Sequence, residues 1–150
     1  MIELGHPTDR MPPFRYGVYT RVAFSDTDAQ GVVYYGRYLP YFDLARTEYH
    51  RQLGAVDVSR SEFVVRASEV QYLAPARFDD LLEVFVGIER IGRSSVTYRY
   101  AAHHIDDGAG DLLMVTALQT LVLIDHTTRT TVEVPARFRQ RVSEFEGVVL

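Results

Sequence analysis

The chain has 150 residues, 47% of them hydrophobic, and a net charge of −4. This length suits one domain with its own core, the composition argues against a disordered chain, and the acidic balance argues against nucleic acid as the main partner. All 16 basic residues are arginines and cysteine is absent, so lysine Schiff bases, thiol nucleophiles and thiolate metal sites are excluded.

The N-terminal region, residues 1–16, contains prolines and no apolar period, which predicts an extended, poorly ordered arm before a single domain at 17–150. We find no apolar signal core here and no apolar stretch long enough to span a bilayer, so we expect a cytoplasmic protein without a membrane span. Residues 17–24 alternate between apolar or β-branched and other side chains, which predicts a strand.

An acid-rich turn follows this strand, and a helix-periodic apolar run begins near Tyr34. Apolar residues recur at spacings of three and four as far as Leu53, and Gly54 is suited to end the helix. Pro40 either kinks this helix or lies in its first turn. The turn therefore delivers acid side chains to a helix N-terminus, where free N–H groups and the helix dipole favour developing negative charge.

The second half of the chain is rich in Val, Ile, Leu, Tyr and Thr, which predicts strands. Four long strands are predicted, separated by short connections such as the turn at 107–110, and we expect them to form an antiparallel meander. They cover residues 63–72, 81–91, 94–104 and 112–124. Residues 132–134 are expected to add a short edge piece, and Pro135 is expected to open a C-terminal helix.

Residues 26–54 read Asp-Thr-Asp-Ala-x-Gly-Val-Val-Tyr, then Tyr-Leu-x-Tyr-Phe-x-x-Ala-Arg-x-Glu, and end in Leu-Gly. With weaker matches over roughly residues 18–138, this pattern resembles hotdog-fold acyl-CoA thioesterases of the 4-hydroxybenzoyl-CoA thioesterase type. The resemblance implies an α+β hotdog fold, in which an antiparallel sheet of five or more strands wraps around one long central helix, with a short C-terminal helix. It also implies acyl-CoA or acyl-carrier-protein thioesters as substrates, and homodimers or homotetramers with active sites at the subunit interface.

Under this resemblance, the family's catalytic carboxylate falls on Asp28 and its carbonyl-polarising backbone N–H falls near Tyr35. Asp28 can attack the thioester carbonyl to form a mixed anhydride, or it can deprotonate water, and the sequence leaves both routes open. Without the resemblance, Asp28 reads as an N-cap or Asx-turn residue. Gly31 is expected to permit a tight backbone path that lets the thioester approach, and Asp26 to support the turn.

Five further residues are candidates for substrate binding. Tyr34 and Tyr38 are candidates for the acyl pocket, although helical spacing also fits a role in the core. Arg93, Ser94 and Ser95 are candidates for contacts with the CoA phosphates or pantetheine, because arginine forks suit phosphate. A solvated turn explains these last three residues equally well.

Other chemistry is weakly indicated. His103 and His104 are neighbours on a predicted strand and point to opposite faces, so we predict no metal site. We find no phosphate-cradling Gly-rich loop and predict no cofactor. Arg46 and Glu48 are expected to pair with each other, so that neither charge lacks a partner. Glu48 is also a candidate for the catalytic acid in place of Asp28, but this alternative is less favoured. Two rival functions remain: a hotdog hydratase or dehydratase, which needs a histidine that residues 28–46 lack, and a non-catalytic acyl-CoA binding protein.

Overall fold

The computed structural model describes residues 3–54, 61–106 and 110–150. Within them, six strands form one antiparallel sheet, and two α-helices pack with it. The strands are β1 (Gly5–Pro7), β2 (Tyr16–Arg21), β3 (Ser61–Tyr72), β4 (Leu81–Ile91), β5 (Ser95–Asp106) and β6 (Gly110–Asp125). The helices are α1 (Tyr38–Leu53) and α2 (Ala136–Glu146), and short 3₁₀ turns occupy Phe24–Asp26 and Tyr35–Arg37.

The order of the strands corrects one expectation. The sheet runs β1-β2-β4-β5-β6-β3, so β4, β5 and β6 form the predicted meander but β3 lies at the far edge beside β6. There Tyr72 pairs with Val115, whereas β4 pairs with β2 on its other side. Alternation of side chains records which face of a strand is buried, but it does not record which neighbour supplies the hydrogen bonds.

Helix α1 lies across one face of the sheet and supplies its core. Phe42 is fully buried and stacks on Tyr100 of β5, with ring centroids 4.6 Å apart. Burying a side chain of this size contributes about 1.5–3 kcal/mol. The buried face of α1 comprises Tyr38, Tyr41, Phe42, Ala45, Glu48, Tyr49 and Leu53. The predicted central helix wrapped by an antiparallel sheet is therefore confirmed.

The ends of α1 differ in how well they were predicted. Gly54 has a φ of 69° and accepts the left-handed conformation that ends the helix, as expected. Pro40 lies in the first turn, where a missing N–H costs nothing. The predicted start near Tyr34 is wrong, because Tyr34 is extended and its N–H donates to the carbonyl of Asp26 at 2.9 Å.

The terminal regions of the chain agree with the sequence-based expectations only in part. Gly5–Pro7, inside the region expected to be a poorly ordered arm, pairs with β2, and His6 lies 2.7 Å from the buried carboxylate of Glu83. Residues 132–134 form no strand; only Thr131 bridges to Ile124. The predicted C-terminal helix is confirmed as α2, directly after Pro135. The predicted turn at 107–110 lies mostly outside the described residues.

Candidate active site

Residues 26–35, which we call the acid loop, fold back on themselves as a narrow hairpin. The N–H of Asp28 donates to the carbonyl of Val32 at 2.9 Å, and the N–H of Gly31 donates to the carbonyl of Asp28 at 3.0 Å. Thr27 bridges to Val33 one position further back. Asp28 therefore lies at the tip of the hairpin, and the returning arm leads directly into the start of α1.

The carboxylate of Asp28 is only partly engaged. Its Oδ1 accepts the N–H of Gln30 at 2.8 Å, which is the Asx turn that the sequence also allowed. Within the part of the chain that the structure describes, Oδ2 has no hydrogen bond or ion pair. The side chain is half-buried, so one carboxylate oxygen is held while the other can meet a ligand.

Gly31 makes the hairpin possible. Its φ is +78°, in the left-handed region that side chains with a Cβ rarely adopt. A Cβ placed at this position would have no neighbour within 4 Å. The glycine is therefore required by the backbone conformation rather than by crowding, and this agrees with the tight backbone path expected from the sequence.

Tyr35 begins the 3₁₀ turn that leads into α1. The first N–H bonded inside this turn belongs to Arg37, which donates to the carbonyl of Tyr34 at 2.8 Å. Among the described residues, the N–H of Tyr35 has no acceptor, as expected for the first residue of a helical segment. The carbonyl of Tyr35 accepts the hydroxyl of Tyr72 at 3.0 Å. An unpaired N–H at the positive end of a helical segment is a suitable donor to an oxyanion.

Asp26 is committed to structure, as the sequence predicted. It is 5% exposed, and its Oδ1 accepts Nε and Nη2 of Arg37 at 3.1 and 2.9 Å. Its Oδ2 accepts the hydroxyl of Tyr41 at 2.7 Å and the N–H of Ala23 at 2.9 Å. Burial acts to raise the pKa of Asp26, but these hydrogen bonds and the Arg37 charge outweigh it and hold the pKa below its ordinary value.

The two tyrosines predicted to bind substrate have different surroundings. Tyr38 is 2% exposed and meets Tyr41 and Tyr72 edge to face, at centroid distances of 5.8 and 5.9 Å. In the single chain it belongs to the core and offers almost no surface to a ligand. Tyr34 is 43% exposed, and its ring lies 4.3 Å from that of Tyr35.

Arg93, Ser94 and Ser95 lie far from Asp28 within one chain. Asp79 and Asp80 bond to Val22 beside the acid loop and lead into the first residue of β4, whereas residues 93–95 follow its last residue. A strand of 11 residues spans about 30 Å. The carbonyl of Arg93 accepts the N–H of Val134, so this turn packs against the C-terminal region.

The expected pairing of Arg46 with Glu48 is wrong. Arg46 donates to Asp43 and to Gln119, both at 2.7 Å, and Glu48 lies 3.5 Å from Arg51. Residues two positions apart on a helix point in nearly opposite directions, so each charge finds a partner three residues away instead.

The acid loop is open to solvent in the single chain. A cavity of about 960 Å³ lies between residues 7–15, β4, β5 and the C-terminal residues, and Asp28 does not line it.

Sequence reasoning missed two exposed rings that flank the loop: Phe24 and Phe78 are 77% and 56% exposed and lie 5.9 Å apart. The sequence pattern placed Phe24 inside a strand predicted for residues 17–24, whereas the observed strand β2 ends at Arg21.

Comparison with known proteins gives the family. A family model described as the thioesterase superfamily matches residues 30–110, beginning two residues after Asp28. The acyl-CoA thioester hydrolase YbgC of Escherichia coli O6:H1 is 42% identical over 89 residues, covering 57% of this chain and 65% of that protein. The match thus spans slightly less than two thirds of that relative's length.

Solved structures agree with this result. A probable thioesterase from Bartonella henselae is 31% identical with a TM-score of 0.70, and the match covers 79% of this chain and 98% of that one. A 4-hydroxybenzoyl-CoA thioesterase complexed with 4-hydroxybenzoyl-CoA is 21% identical with a TM-score of 0.74, covering 85% and 97%, and supports the fold alone. No described helix is both long and apolar enough to cross a bilayer. The chain has the hotdog fold and belongs to the thioesterase superfamily.

Proposed function

We propose that the chain hydrolyses acyl-CoA thioesters, with Asp28 as the catalytic carboxylate. The observation that carries this proposal is the partly free carboxylate of Asp28, in one short loop with the unpaired N–H of Tyr35. The substrate class comes from the relatives, which are named acyl-CoA thioester hydrolase or acyl-CoA thioesterase. The proposal thus combines an arrangement in this chain with the chemistry of its family.

The two groups have complementary roles in the reaction. The N–H of Tyr35 donates to the thioester carbonyl, and this bond strengthens as negative charge develops on the oxygen; removing such a donor costs about 3–4 kcal/mol in other enzymes. Asp28 either attacks the carbonyl carbon, giving a mixed anhydride that water then hydrolyses, or takes a proton from the attacking water. In both routes the carbon–sulfur bond breaks and the products are a carboxylic acid and free CoA.

A second copy of the chain would complete the site. Strand β3 has 12 residues and pairs only with β6, so its other edge is unpaired within the described residues. Long exposed edges are normally covered. We propose that two copies pair through β3, and that Arg93, Ser94 and Ser95 of one copy approach the CoA bound at the acid loop of the other. Assembly into a tetramer stays a prediction.

Release of free thiol from a panel of acyl-CoAs tests the activity. We expect Asp28→Asn and Asp28→Ala to lower kcat by about 10²-fold or more, in line with the loss of a general base or nucleophile. Asp125→Asn is the matched control, because Oδ1 of Asp125 also closes an Asx turn, on the N–H groups of Thr127 and Thr128, away from the acid loop. If the Asp28 variants keep the wild-type rate, Asp28 is not the catalytic group.

The rival functions have their own readouts. A hydratase would consume the conjugated double bond of an enoyl-CoA, which absorbance follows directly, and a binding protein would retain an acyl-CoA without releasing thiol. The carrier protein as an alternative acyl donor and the cytoplasmic location both stay predictions from the sequence.

A further inference from the structure

The side chain of Tyr41, on helix α1, makes a hydrogen bond to the acid loop. Tyr41 is 6% exposed, and its hydroxyl donates to Oδ2 of Asp26 at 2.7 Å. Burial and the neighbouring carboxylate raise the pKa of Tyr41 well above its ordinary value, so the hydroxyl keeps its proton and acts as a donor. This bond joins the second turn of the helix to the residue that begins the hairpin.

Asp26 accepts hydrogen bonds from residues on both sides of the hairpin. Its carboxylate accepts the N–H of Ala23 before the hairpin and the guanidinium of Arg37 after it. Its own carbonyl accepts the N–H of Tyr34. The hydrogen bonds of Asp26 to Tyr34 and Arg37 therefore hold together the two ends of the segment that carries Asp28 at its tip. The bond from Tyr41 attaches this segment to helix α1.

We infer that Tyr41, acting through Asp26, is a positioning residue that holds the carboxylate of Asp28 at a set distance from the N–H of Tyr35. This inference rests on the function proposed above. Tyr41 does not touch the reacting atoms; it restricts the movement of the loop that carries one of them. A displacement of about 1 Å between reacting groups can cost on the order of 10²-fold in rate, so a tie of this kind affects catalysis directly.

The chain offers a matched control on the same helix. Tyr49 is fully buried two turns further along α1, and its hydroxyl donates to the carboxylate of Glu146 at 2.5 Å. Tyr41→Phe and Tyr49→Phe each remove one hydroxyl from a buried tyrosine–carboxylate pair. Only the first pair joins the helix to the acid loop.

The test compares kcat, KM and thermal stability of the two variants with an acyl-CoA that the wild type hydrolyses. We expect Tyr41→Phe to lower kcat at least tenfold with KM within twofold, and Tyr49→Phe to keep kcat within twofold while losing comparable stability. Adding Tyr41→Phe to Asp26→Asn should lower kcat no further than Asp26→Asn alone, because the tyrosine acts through that carboxylate. Equal kcat values in the two tyrosine variants, or a change in KM alone, would overturn the inference.

A second measurement does not depend on turnover. Amide hydrogen exchange of residues 27–36 should be faster in Tyr41→Phe than in the wild type and unchanged in Tyr49→Phe. Unchanged exchange in Tyr41→Phe would show that the Tyr41–Asp26 hydrogen bond does not order the acid loop, and would overturn the inference. A wild-type protein inactive on every thioester would instead refute the proposed function, and the exchange result would still report whether Tyr41 orders the loop.

Discussion

His50 provides a prediction that can be worked out from the structure. It lies on α1, and its Nε2 is 2.5 Å from the hydroxyl of Tyr98 on β5. Phe63 of β3 and Phe138 of α2 lie edge to face with its ring. Burial, and secondarily repulsion by Arg46, lower the pKa of His50 to about 4. The ring is therefore neutral at pH 7, and its Nε2 shares a hydrogen bond with the Tyr98 hydroxyl.

The lowered pKa makes stability depend on pH. As the pH falls below 6.5, the unfolded chain takes up a proton at this histidine before the folded chain does, so the stability present above pH 6.5 is lost progressively towards pH 4. A shift of this size lowers the free energy of unfolding by about 2 kcal/mol between pH 7.5 and pH 5. Because the residue is not completely buried, solvent screening reduces this effect, and we expect about 1–2 kcal/mol.

Urea denaturation of the wild type and of His50→Gln at the two pH values measures this effect. The variant cannot titrate at this position, so the difference in unfolding free energy between the two proteins should shrink by about 1–2 kcal/mol from pH 7.5 to pH 5. His126→Gln, at an exposed histidine 3.5 Å from Glu62, is the control, and its difference from the wild type should change with pH far less than that of His50→Gln. If the His50→Gln difference is the same at both pH values, the reasoning about the buried ring is wrong.

Two further predictions concern the acid loop and the assembly. Gly31→Val should destabilise the chain by about 1–3 kcal/mol because of the φ of +78°, whereas Gly31→Asn should cost less, since asparagine tolerates this region; thermal unfolding compares them. Equal losses in the two variants would contradict the argument from the backbone conformation. Sedimentation equilibrium should give the mass of two copies or a multiple of it, and a single-copy mass at assay concentrations would contradict the proposed pairing through β3.

Much of the fold could be predicted from the sequence because its signals are local. The spacing of apolar residues up to Leu53 and the glycine after it defined the end of α1 correctly. The boundaries of β4 were predicted to the residue. The start of α1 was not, because the N–H of Tyr34 is taken by the carbonyl of Asp26, and this bond depends on how the preceding loop folds back.

The candidate site was predicted unevenly for the same reason. The motif pointed to Asp28, Gly31 and Tyr35, and the structure brings all three into one loop; their catalytic roles stay proposals. It could not reveal that Tyr41 binds Asp26, since on the helix pattern Tyr41 is only another apolar residue. The motif also contained no information on the distance between the acid loop and residues 93–95, which lie at opposite ends of β4.

By itself, the sequence located the end of α1, helix α2 and most of the five longer strands, and it excluded chemistry that depends on lysine or cysteine. Only the tertiary structure decided that β3 pairs with β6, that Arg46 and Glu48 have different partners, and that Asp26 is enclosed while Asp28 keeps one oxygen free. The physical reason is that side-chain periodicity depends on neighbours a few residues away. Strand partners and ion pairs instead depend on which distant segments compete for the same hydrogen bonds.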